Sequence, residues 1–110
     1  MKRSVKSNQR GVELLTFIVS ADGTTVTGLD KNQVSVADTG TGVKTCTIPA
    51  QTSGDYSVIV TTATADSVAQ VSITNSTTFV VNTFDSTDGT TAKDAVCHIL
   101  VIGSQIAERA

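Results

Sequence analysis

Three carboxylates crowd the stretch FDSTDGTTAKDAVCHILVIGS, which runs from Phe84 to Ser104. Asp85, Asp88 and Asp94 offer the oxygen ligands that a hard cation such as calcium takes. Their spacing does not fit a calcium loop of the EF-hand kind: counted from Asp85, the glycine comes one position early and Val96 stands where the closing glutamate belongs. The expectation is a polar hairpin loop whose aspartates bond to nearby backbone amides, with no metal and no other cofactor.

His98 is the single histidine and lies among aliphatic residues, where a buried or interface role outweighs catalysis. Serines and threonines are plentiful, yet none sits in a G-x-S-x-G setting. A phosphate-binding glycine loop and a dinucleotide fingerprint are missing too, so no catalytic residue is assigned and no enzyme is expected. Cys46 and Cys97 fall within strand-like runs and fit no zinc spacing. They read as small buried hydrophobes with reduced thiols.

The elements around these residues are strands. The chain has 110 residues, enough for one core, with 39% hydrophobic and 16% charged residues. Threonine and valine abound, and β-branched side chains suit a pleated, half-buried surface. Strand-like runs are VELLTFIV, a brief one over Thr24–Thr27, NQVSV, GVKTCTIP, YSVIVTTATA, VAQVSIT, TTFVVNTF and VCHILVI. Turn signals part them: Asp22-Gly23, the glycine-rich DTGTG, QTSGD, a short hairpin turn at Ala65-Asp66-Ser67, and Asn75-Ser76. The fold class expected is all-β, a single antiparallel β-sandwich or jelly roll. It comprises a basic arm over 1–10, the sandwich over 11–104 and a tail over 105–110.

Charge divides unevenly between arm and body. Lys2, Arg3, Lys6 and Arg10 carry the arm; subtracting those four charges from the net −2 leaves −6 for the remainder. Such an arm suits docking on an anionic surface. Nucleic acid is not expected as the main partner, because no aromatic residue interleaves with the basic ones. The apolar segment after the arm is short and holds Glu13, which argues against a secretory leader, and no run is long enough to span a membrane as a helix.

Strands of an antiparallel sandwich normally alternate, one face toward the core and one toward water. VCHILVI does not: Cys97, Ile99 and Val101 form one face, and Val96, Leu100 and Ile102 the other, with His98 between them. VELLTFIV is nearly as two-faced. A second apolar face on so small a domain points to cover by neighbouring copies. Leu14, Phe17, Val19, His98, Leu100 and Ile102 are the expected contact residues of a homo-oligomer, most naturally a trimer.

The runs TGVKTCTIPA, DYSVIVTTATAD and STTFVVNTFDSTDGTTAKDAVCHILVIGS together resemble a domain that recurs in structural proteins of tailed bacteriophages. The likeness covers Gly42 to Ser104, with Cys97 and His98 standing where that pattern often has an aromatic. It implies a β-sandwich or jelly-roll domain, often trimeric, of capsid cement (decoration) proteins and of head or tail fibres. The function it implies is cementing of a capsid, with the major capsid protein as partner, assembly in the host cytoplasm and residence on the virion surface. A fibre-tip module that binds a receptor or glycan is the alternative.

Overall fold

The computed structural model describes residues 12–52 and 55–104, so the basic arm with Lys2, Arg3, Lys6 and Arg10 and the C-terminal tail lie outside the described residues. Eight strands follow in order: β1 (Val12–Val19), β2 (Val26–Thr27), β3 (Ser35–Gly40), β4 (Val43–Thr47), β5 (Ser57–Thr62), β6 (Ser67–Ile73), β7 (Thr78–Asp85) and β8 (Cys97–Ser104). A single 3₁₀ turn, Lys31–Gln33, precedes β3. The strands form two antiparallel sheets, β2-β1-β8-β5 and β3-β4-β7-β6, packed face to face. The expected all-β sandwich is what forms. Its neighbours β3-β4-β7-β6 and β5-β8-β1 are those of an immunoglobulin-type sandwich, with the first strand of this chain in the place of the last.

Period-two alternation decides what each strand buries. Leu15, Phe17 and Val19 of β1 and Cys97, Ile99 and Val101 of β8 point inward from the first sheet. Cys46, Phe79 and Val81 meet them from β4 and β7. Tyr56, at the mouth of β5, ties the layers at one end. Its ring meets Phe79 edge-on at 6.3 Å, and its hydroxyl donates to the carbonyls of Asn75 and Thr78.

Two connections differ from the hairpins that their turn residues suggest. The β5–β6 turn, with Asp66 at φ 58°, carries the chain from the first sheet to the second, and the acidic loop carries it back from β7 to β8. The first joins the edge strands β5 and β6 of the two sheets, and the second joins the inner strands β7 and β8. DTGTG also departs from a simple turn, because β3 runs on to Gly40 through a register shift between Asp38 and Gly40. A bulge of this kind absorbs one residue without ending the ladder. Thr24–Thr27 contributes just Val26 and Thr27 to a strand, since the first two residues close the turn behind β1.

Where β2 ends, Asp30 extends the edge of β1. Its backbone amide donates to the carbonyl of Thr16, and its carboxylate accepts the Thr16 amide at 2.8 Å. One buried aspartate thus satisfies both backbone groups of a residue whose edge would otherwise be open. At the opposite end, Gly42 (φ 70°) sits so close to the Thr83 carbonyl that an added Cβ would lie 2.5 Å from it.

Phe79 is wholly buried at the centre of this core. Phe79→Ala is expected to cost about 3–5 kcal/mol of stability, read as a lower urea midpoint with an unchanged denaturant slope.

Candidate functional site: the outer face of the first sheet and the acidic loop

The strand register lays out the outer face of the first sheet row by row. Leu14, Ile102 and Ser57 form one row, Thr16, Leu100 and Ile59 the next, and Ile18, His98 and Thr61 the third. None of these nine side chains is an acid, a lysine or an arginine. Leu14 is 37% and Ile59 51% exposed, while Ile18, Leu100 and Ile102 are half-buried. Beside the central row the face dips into a hollow of about 440 Å³ lined by Thr16, Ile18, Leu29, Ile59, His98 and Leu100, among others. Leu29, 68% exposed, stands at its lip on the segment that Gly28 (φ 104°) turns back over Phe17.

Four of the six residues expected as contacts, Leu14, His98, Leu100 and Ile102, share this face. Phe17 and Val19 do not. They are 2% and 0% exposed and belong to the core, because residues an odd number of places from Leu14 point to the opposite side of β1. Thr16 and Ile18 take their places on the outer face. His98 is exposed between Ile18 and Thr61 and is not a core histidine. Ile59 belongs to the face as well; its position opposite Val58 and Val60 in the alternation of β5 was the available signal. Leu29 had none, since it lies in a loop.

The outer face of the second sheet is more mixed. Thr45, Val80 and Ser72 form one row there, and Val43, Asn82 and Gln70 another. Phe84, opposite Val68, is half-buried on this side rather than in the core, because it follows Phe79, Val81 and Thr83 out of phase.

In the acidic loop, each of the three carboxylates accepts from the protein's own backbone amides, as the loop's residue types suggest. Asp85 accepts the amide and hydroxyl of Thr87, and Asp88 accepts the amides of Thr90 and Thr91 and the hydroxyl of Thr91. Asp94 reaches 2.7 Å to the amide of Gly42, which ties the loop's far end to the start of β4. Among the described residues no three His, Cys, Asp or Glu side chains gather as a metal would need. The same turn recurs along the chain: Asp22 to Thr24, Asp38 to Gly40 and Asn75 to Thr77 each join a side-chain oxygen to the amide two residues on. The acidic threonine-rich loop is two more copies of that local device.

These hydrogen bonds favour the ionised carboxylates. The Ser20 hydroxyl, with Thr24, lowers Asp22 to about 2, and the Thr91 hydroxyl, with the backbone amides, lowers Asp88 to about 2. The Thr87 amide and hydroxyl hold Asp85 below its ordinary value.

Comparison with protein-family models, curated proteins and solved structures finds no match to this chain.

A depressed folded-state value stabilises the fold above the ordinary carboxylate value of 3.8, and that contribution is lost as the pH falls toward about 2. Replacing Asp22 and Asp88 together by Asn should therefore flatten the acid limb of stability over that window, measured as urea midpoints against pH.

Proposed function

We propose that this is a non-enzymatic structural protein of a virus particle, a capsid cement protein whose copies associate through the outer face of the first sheet. The observation that carries the reading is the uncharged, largely aliphatic surface formed by Leu14, Ile18, Ile59, Leu100 and Ile102 around His98. No loop of the described chain spans it; the Gly28–Leu29 segment reaches one corner. The resemblance of residues 42–104 to tailed-bacteriophage structural domains supplies the kind of particle. The basic arm then docks on an acidic shell of the major capsid protein.

The two contacts have different physics. Apolar burial yields roughly 25 cal/mol per Å², whereas an exposed ion pair is worth about 0–1 kcal/mol. The sheet face therefore holds copies together, and the arm sets docking and its sensitivity to salt. A trimer is the assembly proposed. The glycan-binding alternative draws less support, because beside His98 the hollow is lined mainly by aliphatic residues and threonines, and its one phenylalanine, Phe17, is buried in the core.

Leu100→Glu places a charge at the centre of the face and should convert the oligomer to monomer in light scattering, with the strand signal in circular dichroism retained. A wild-type protein that is monomeric at micromolar concentration contradicts the reading. Deleting residues 1–10 should abolish co-sedimentation with capsid shells and leave the oligomer intact; normal decoration by the truncated protein would remove the arm from the account.

A further inference from the structure

An edge strand carries a row of backbone groups that its own sheet does not use, and proteins blunt such rows with charge, proline, bulges or very short strands. One flank of this sandwich does so. β2 is two residues long, and β3 carries Asp38 and a register shift. The other flank, formed by β5 and β6, does not. SVIVTT and SVAQVSI hold no charged residue and no proline, and their ladders with β8 and β7 run without a bulge.

The register fixes which backbone groups of β5 face outward. The Ala63 amide donates to the Val96 carbonyl at 2.8 Å, one step beyond the pairing of Thr62 with Cys97. Bonded and non-bonded pairs alternate along an antiparallel ladder. Ile59 and Thr61 therefore turn their amides and carbonyls to β8, and Val58 and Val60 turn theirs away. Thr16 gives the same phase from the far side of β8: opposite Leu100, it points its amide and carbonyl outward to Asp30. No described residue pairs with the outer side of β5. The side chains leave the row open as well. None of the six residues is buried, Ile59 near the centre is 51% exposed, and Val58 and Val60, though packed on the core, are half-buried.

We propose that β5 pairs antiparallel with β5 of a second copy about a two-fold axis at Ile59, which joins the first sheets of two copies into one of eight strands. The occupant is a strand, because a strand offers an amide and a carbonyl at every second residue. It is a second copy, because a two-fold contact sets a surface on itself and this edge brings no like charges together. Centred on Ile59, the register exchanges both hydrogen bonds between Val58 of one copy and Val60 of the other. Ile59 then meets its own counterpart as a non-hydrogen-bonded pair, the closer kind, with Cα atoms about 4.5 Å apart. This register covers the one exposed aliphatic side chain of the strand. So short a pairing is marginal by itself, with a Kd on the order of 1 mM. It adds to the outer-face contact proposed above and joins copies where they are crowded.

The test uses the full chain carrying Leu100→Glu, which disables the outer-face contact and leaves the edge of β5 intact. Amide hydrogen exchange is read residue by residue by NMR. Between roughly 50 µM and roughly 2 mM, exchange at Val58 and Val60 should slow about twofold, following the fraction paired. Ile59 and Thr61, bonded to β8, should stay slow throughout. Unchanged exchange at Val58 and Val60 overturns the proposal. So does slow exchange at every concentration, which places other residues of the same chain on the edge. Adding Ile59→Cys tests the register: under oxidised glutathione it should link two chains through position 59, since about 4.5 Å between Cα atoms lies within disulfide reach. Thr61→Cys should not, because Thr61 faces Ser57 of the other copy and lies about 13 Å from its own counterpart. No link through position 59, or equal linking by both variants, overturns the register. A wild-type chain that is monomeric at micromolar concentration removes the outer-face contact and leaves these results standing.

Discussion

The sandwich depends on the pairing of β1 with β8, which runs in unbroken register from Val12 opposite Ser104 to Val19 opposite Cys97. These are the two central strands of the first sheet, so each has ladder partners on both sides, and together they supply half of the core. Asp30 completes the pairing of β1 beyond the two residues that β2 covers, and the side chains then decide what each face of the sheet meets. On the inner side Leu15, Phe17, Val19, Ile99 and Val101 meet the second sheet. On the outer side the same two strands raise Leu14, Ile18, Leu100 and Ile102 toward solvent. One ladder therefore builds the core and the candidate contact surface, and a substitution on it acts on one or the other according to the parity of its position.

The connections obey a different rule. Where the chain must turn, an aspartate or asparagine takes the amide two residues on, often with a glycine at positive φ between them, as at Gly23 and Gly89. The device is local, costs little core and leaves each carboxylate occupied. It gives the acids and threonines of these loops a structural use. Asp30 and Asp94 work at longer range, pinning loops to the edges of β1 and β4.

Much of this could be read from the residues. The alternation in YSVIVTT and TTFVVNTF announces strands and their inner faces, and Tyr56, Phe79 and Val81 lie where it puts them. The two-faced character of VCHILVI survives in the fold as a real division between Ile99 and Val101 inside and Leu100 and Ile102 outside. Phase was the weak point in VELLTFIV, where apolar residues in succession hide which parity faces in, and so Phe17 and Val19 exchanged roles with Thr16 and Ile18. Turn residues likewise do not encode whether a turn closes a hairpin or crosses between sheets, because the local geometry at Asp66 serves either. Lys44 shares the parity of the buried Cys46 and Ile48, and its charge alone hid its place on the inner face of β4. The arm and the particle rest on charge and resemblance alone.

The central claim is that the outer face of the first sheet is covered by another copy of the chain. Hydroxyl-radical footprinting over a dilution series, read at each side chain by mass spectrometry, tests it most directly. The account predicts that Leu14, Ile18, Leu100 and Ile102 lose reactivity as concentration rises, while Val68 and Phe84 on the other sheet do not change. Equal reactivity of the four at every concentration would contradict it.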